Sequence, residues 1–140
     1  INFMGTNPLI GKNDDTLGER FPDMSNCYSK NLKEIAFQSA EKLNIDLKKG
    51  IYLATTGPSY ETKAEVRMFK LLGANVIGMS TVPEAIVANY LKINTIAFST
   101  VTNYATGVSN HSLSHQEVLE IGKSTGQKLN LLIKEIIKNI

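Results

Sequence analysis

The stretch that decides the fold is Ile51-Tyr52-Leu53-Ala54-Thr55-Thr56-Gly57-Pro58-Ser59-Tyr60-Glu61. Its first six residues are mostly apolar or β-branched, the composition of a buried strand. Gly57-Pro58 then forces a turn, because Pro58 has no N–H for a ladder and its φ is fixed. A strand therefore ends here at its carboxyl edge, where open α/β sheets bind ligands. The turn delivers an aromatic face, Tyr60, and a carboxylate, Glu61, side by side. The pair suits a flat polar ring, stacking on its face and reading its edge. On residue type alone, Tyr60 serves equally as a core aromatic and Glu61 as the acidic opening of a helix.

Downstream, Glu61 to Leu72 has helical composition, with Ala64, Met68, Leu71 and Leu72 expected to face inward and Gly73 placed as the C′ cap. Asn75 to Met79 reads as a second buried strand. In Ser80-Thr81-Val82-Pro83-Glu84, Thr81 and Glu84 have the spacing of a capping box and Pro83 falls in a first helical turn. The N–H groups of such a helix start suit an anion. A helix Glu84 to Leu91, a third strand Thr95 to Val101 and a polar loop Thr102 to Leu113 follow. Ser114-His115-Gln116-Glu117 is another capping-box pattern. It opens a last helix with Val118, Ile121, Leu129, Leu132, Ile133, Ile136 and Ile140 at helical spacing.

Upstream, Leu32, Ile35, Ala36, Ala40 and Leu43 share one face of an amphipathic helix, and Ile1 to Met4 is a short candidate strand. Between them lies the turn-rich Gly11 to Asp23, in which Pro22 keeps Phe21 extended. Phe21 either tucks into its own domain or is offered to a neighbour. Alternating strands and helices predict an α/β domain with a mostly parallel sheet. The polar residues gather after successive strand ends: Tyr60 and Glu61, then Met79 and Ser80, then Thr102 and Asn103. Three strand ends meeting in one crevice make a ligand site.

Composition narrows the classes. The 140 residues suit one domain, 42% hydrophobic and 20% charged, as in globular proteins. A net charge of +2 with dispersed lysines gives no basic block for nucleic acid. The single Cys27 leaves no internal disulfide and points to a reducing, cytoplasmic compartment. No apolar run approaches the roughly 18 residues that would cross a bilayer, so no membrane partner is expected. His111 and His115 are four apart but lack a third ligand, so no metal is expected.

Gly57-Pro58-Ser59-Tyr60-Glu61-Thr62, Gly78-Met79-Ser80-Thr81-Val82-Pro83-Glu84 and Thr102-Asn103 followed by Ser114-His115 resemble, in order and spacing, the trimeric purine nucleoside phosphorylases. Asn7-Pro8-Leu9, Arg20-Phe21-Pro22 and Met24-Ser25 also look like that family. The resemblance implies a mixed, mostly parallel central sheet flanked by helices, and reversible phosphorolysis of 6-oxopurine nucleosides such as inosine and guanosine. The products are free base and ribose 1-phosphate, in purine salvage, with inorganic phosphate as co-substrate and no cofactor. It also implies roles. An ionised Glu61 accepts from purine N1–H, and Asn103 donates toward N7 and O6 as charge grows on the departing base. Tyr60 and Ile77 pack on the base, Met79 lines the ribose and Ser80 reaches phosphate. Thr102 supports the base loop, His115 contacts the 5′-hydroxyl, and Phe21 caps a neighbouring subunit's site in a homotrimer. Methylthioadenosine phosphorylases are similar but carry Asp where this chain has Asn103, so inosine and guanosine are expected to be preferred over adenosine.

The resemblance covers about the C-terminal half of such an enzyme. The family's phosphate-binding serine loop, histidine and arginine have no counterpart here, and the chain opens on Ile1 rather than Met. Residues 1–140 are therefore expected to be the C-terminal portion of one domain, inactive alone, with an N-terminal half in the same or another chain. The alternatives are an incomplete fragment that keeps purine binding or oligomer contacts, and a methylthioadenosine phosphorylase-like enzyme.

Overall fold

The computed structural model describes residues 1–108 and 115–140, with the backbone alone at positions 115–121, 123 and 124. Its centre is a parallel pair, β1 (Tyr52–Ala54) and β2 (Val76–Gly78), joined by helix α2 (Lys63–Leu71). Tyr52 registers with Val76, Leu53 with Ile77 and Ala54 with Gly78. On the other side of β1 the first residues pair in parallel at Asn2 and Ala54, with Phe3 N–H donating to Ala54 O at 2.9 Å and Ala54 N–H to Ile1 O at 2.9 Å. Flanked on both sides, Leu53 and Ala54 are fully buried, as a central parallel strand requires.

Helix α3 (Val82–Tyr90) follows β2 and buries Val82, Ala85, Ile86 and Tyr90. Val82 and Ile86 pack on Ala54, with Met4, Leu9 and Tyr52 around them. The turn-rich loop is pinned to α3 by polar contacts. Tyr90 donates its hydroxyl to Asp14 O at 2.7 Å, and Asn89 Nδ2 donates to Asp23 O at 2.8 Å.

A second core lies between α1 (Lys30–Lys42) and α4 (His115–Ile137). Ser29 caps α1 by accepting from Leu32 N–H, and the expected apolar face is the one buried. Ala36 and Ala40 meet Leu132 and Ile136 in this seam. Small residues on one helix let large ones on the other approach closely. Burying each of the large side chains contributes about 1.5–3 kcal/mol. Glu135 is also buried here, its carboxylate 2.5 Å from Lys42 Nζ and 3.4 Å from Lys138 Nζ. The Lys42 hydrogen bond, then the charges of Lys42 and Lys138, hold this carboxyl below its ordinary range despite burial.

Four expectations change. Thr95–Val101 forms no ladder among the described residues, although Ile96, Phe98 and Thr100 are more buried than Ala97, Ser99 and Val101. The strand period is present, but a strand is defined by its backbone partners, and among the described residues only Thr95 O accepts a backbone bond here, from Ser29 N–H at 2.8 Å. Helix α2 begins after Thr62 rather than at Glu61, since Thr62 and Glu65 make a reciprocal capping box. It buries Phe69, which meets Phe3 edge to face at 5.0 Å, and leaves Ala64, Met68, Leu71 and Leu72 exposed. At α3 no Thr81 capping bond forms, because Thr81 takes φ 72° and ψ −48° and its hydroxyl faces Ser80 instead. The Ser114–Glu117 capping pattern is not among the described residues, because Ser114 and His111 lie outside them. Gly73 is the C′ residue of α2 as expected, at φ 89°.

Candidate active site

The polar turns after β1 and β2 and the loop from Thr102 come together through two glycines. Gly57, at φ 60°, lies so close to Met79 that a Cβ would run into Sδ. Gly107, at φ 79°, lies against Lys63, where a Cβ would come within 2.7 Å of Cγ. Only glycine meets both the backbone and the space requirement at these two positions. The Gly57-Pro58 bond is cis.

Around this meeting point the side chains are oriented by neighbours rather than enclosed. Tyr60 and Met79 are 53% and 58% exposed, so an open aromatic and thioether surface faces outward. Thr55 donates its hydroxyl to Glu61 Oε1 at 3.3 Å, which leaves the second carboxylate oxygen to accept from a ligand. Thr102 donates its hydroxyl to Asn103 Oδ1 at 2.7 Å. With its oxygen occupied, the Asn103 amide presents its nitrogen, one proton of which goes to Tyr104 O at 3.2 Å. Asn103 is thus set as a donor and Glu61 as an acceptor. Beside Glu61, the Thr62 hydroxyl and amide hold the Glu65 carboxyl below its ordinary range.

Ser80 sits at the end of β2. Its N–H donates to the Tyr52 hydroxyl at 3.3 Å, its Oγ is 3.3 Å from the same hydroxyl, and Thr81 Oγ1 is 3.2 Å away. Val82 N–H donates to Ser80 O at 2.7 Å. With the Thr81 torsions this makes a γ-turn of the rare, strained kind. Ile77 is half-buried in β2, registered with Leu53. Phe21 stands apart on its loop, 86% exposed, with the Arg20 guanidinium 5.6 Å from its ring centre. Arg20 is itself tied to Leu9 O at 2.9 Å. His115 opens α4, and its side chain lies outside the described set.

Two cavities lie elsewhere. One of about 670 Å³ is lined by Leu9, Phe21, Met24, Val82 and Ile86, and one of about 390 Å³ by Asn26, Asn89 and Asn94. Of the anticipated residues whose side chains are described, only Phe21 reaches either.

Sequence reasoning missed Tyr52 and Thr55, reading them only as strand residues, and missed the Thr62–Glu65 box. The Thr-x-x-Glu spacing of that box was legible. The reach of Tyr52 to Ser80 was not, since it depends on which strand lies beside β1.

The sequence profile of the Phosphorylase superfamily matches residues 1–138. The chain belongs to that superfamily. It is 49% identical over 137 residues to purine nucleoside phosphorylase 1 of Bacillus subtilis, covering 98% of this chain and 51% of that protein. It is 40% identical over 142 residues to the purine nucleoside phosphorylase of Rattus norvegicus, covering 99% and 49%. Among solved structures, isoform 2 of the Schistosoma mansoni purine nucleoside phosphorylase with cytosine and ribose-1-phosphate superposes with a TM-score of 0.93 at 37% identity, covering 98% of this chain and 50% of that one. The schistosome enzyme with guanosine gives 0.90 at 36% identity, covering 94% and 49%. These relatives bear out the nucleoside phosphorylase fold, an α/β architecture with a parallel pair of strands flanked by helices. The chain spans about half the length of the relatives it matches. Among the described residues no helix is long and apolar enough to cross a membrane.

Proposed function

We propose that residues 1–140 are the C-terminal, base-reading portion of a single nucleoside phosphorylase domain, and that the complete protein phosphorolyses inosine and guanosine. The observation that supports the reading is the opposite setting of two side chains in segments that meet where Gly107 lies against Lys63. Glu61, held by Thr55, offers an acceptor, and Asn103, fixed by Thr102, offers a donor. A 6-oxopurine presents the complement: an N1–H donor, with O6 and N7 as acceptors. As the glycosidic bond breaks, charge grows on the purine and the Asn103 bond strengthens, which lowers the barrier rather than merely tightening binding.

Tyr60 and Ile77 stack on the base, Met79 lines the sugar, Ser80 donates to phosphate and His115 meets the 5′-hydroxyl. The N-terminal half supplies the remaining phosphate ligands, and no cofactor takes part. The exposed, guanidinium-braced Phe21 supports a homotrimer in which it covers the sugar of a neighbour. The setting is purine salvage in the cytoplasm.

A relative from Schistosoma mansoni has been crystallised with adenosine, so discrimination is sought in turnover rather than in binding. Adenosine sets an unprotonated N1 against Glu61. In a site this open we expect turnover lower by ~10²-fold, short of the ~10⁴–10⁵ of a fully enclosed polar site. Intact mass and phosphate-dependent release of hypoxanthine are measured on the same sample. A mass near twice 15.4 kDa, or a second polypeptide, with release from inosine supports the reading. No release from such a complete protein overturns it, and equal turnover of adenosine overturns the preference.

A further inference from the structure

We infer that Tyr52 is a positioning residue for phosphate: its hydroxyl fixes the direction in which Ser80 gives its proton. The inference rests on the reading above, in which Ser80 meets phosphate, and adds a residue to it.

Tyr52 opens β1 opposite Val76. Side chains two apart share a face of a strand, so the phenol lies along the face of Val76, Gly78 and Ser80. Tyr52 packs against the core cluster of Ala54, Val82 and Ile86. The hydroxyl passes over Gly78, where any Cβ would collide with it, and ends beside Ser80. The absence of a side chain at position 78 is therefore what lets the phenol through.

Ser80 N–H has one proton and gives it to the phenol oxygen at 3.3 Å. The contact between that oxygen and Ser80 Oγ at 3.3 Å admits either hydroxyl as donor, and we take the phenol as the donor. Ser80 Oγ then accepts from Tyr52, and its own proton is left to be given away. Thr81 Oγ1, 3.2 Å off, is a second hydroxyl at the same point. An anion needs donors. A serine hydroxyl free to turn would offer its lone pairs as readily as its proton, and the phenol removes that freedom.

The test is phosphate binding by calorimetry and steady-state kinetics on the complete protein, comparing wild type, Tyr52→Phe, Ser80→Ala, their double variant and Gly78→Ala. Tyr52→Phe keeps the packed ring and deletes one hydroxyl. It should weaken phosphate about three- to tenfold, the range of one lost hydrogen bond, and leave KM for inosine within about twofold. Gly78→Ala keeps the hydroxyl but displaces it, and should show the same selective loss. In the Ser80→Ala background, Tyr52→Phe should add nothing, since contacting residues that act as one unit are not additive. If Ser80→Ala leaves phosphate binding unchanged, the phosphate reading of Ser80 fails, and the inference with it. If Ser80→Ala weakens phosphate and Tyr52→Phe does not, the reading of Ser80 stands and the inference about Tyr52 is overturned. It is equally overturned if Tyr52→Phe raises KM for inosine as much as for phosphate, or costs as much with Ser80 absent as with it present.

Discussion

The α1–α4 seam and the loop ends above β1 and β2 are built on opposite principles. In the seam, Ala36, Ala40, Leu132 and Ile136 are almost wholly buried, and the buried carboxylate of Glu135 has two lysines. At the loop ends Tyr60 and Met79 are more than half exposed, and the polar groups are held by hydroxyl contacts from Thr55, Tyr52 and Thr102. The seam spends its chemistry on itself. The loop ends fix direction while leaving capacity for something else, and they tolerate a strained backbone at Thr81.

A pair of truncations should separate the two most widely. Glu61→Ala is expected to lower turnover of inosine by about 10²–10³-fold, the effect of removing one preorganised group, with a melting temperature close to wild type. Leu132→Ala should do the reverse. It is 2% exposed, and its loss costs about 2–5 kcal/mol of stability, with catalysis per folded molecule unchanged. A large drop in stability from Glu61→Ala would break the distinction.

How much of this contrast could be read from residues differs between the regions. The seam was legible because helical periodicity selects Ala36, Ala40, Leu132 and Ile136 without reference to any other element. The candidate site residues stand out as motif positions, but the groups that hold them do not. Thr55 and Tyr52 are ordinary strand residues until β2 is set beside β1, and no local pattern gives that pairing. Helix α2 misled for a related reason. Its apolar residues fall on two sides, and periodicity cannot say which side meets the sheet. Phe69 went inward, while Met68, Leu71 and Leu72 stayed out. Thr95–Val101 shows the limit most clearly, since alternation of side chains supplies the period of a strand but not its hydrogen-bond partner.

Acid should open the seam first. Glu135 is held below its ordinary range chiefly by the Lys42 hydrogen bond. A carboxyl with a depressed folded-state pKa stabilises fully above its unfolded value, near 4.3, and that contribution disappears as pH falls through the lower folded value. Glu135→Gln should therefore lower the melting temperature at pH 7 and narrow its gap to wild type as pH falls from about 5 toward 2. A gap independent of pH would show that the side chain matters only as volume.

The smallest expected effect is the most direct probe of the strained end. Thr81 is β-branched yet holds φ 72° and ψ −48°. Such a sparsely populated backbone region costs an L-residue about 1–3 kcal/mol, and glycine gives back about 0.5–1 kcal/mol through the freedom of its unfolded chain. Thr81→Gly should therefore gain up to about 2 kcal/mol net, a rise of several degrees in melting temperature. It should also weaken phosphate binding, since the hydroxyl beside Ser80 goes and the turn that aims Ser80 loosens. Gain in stability with loss at the site would mean that the strain is tolerated because it holds Ser80 in place. A loss of stability would mean that the Thr81 hydroxyl and methyl contribute more than the torsion costs, and the loop ends would then be built like the seam.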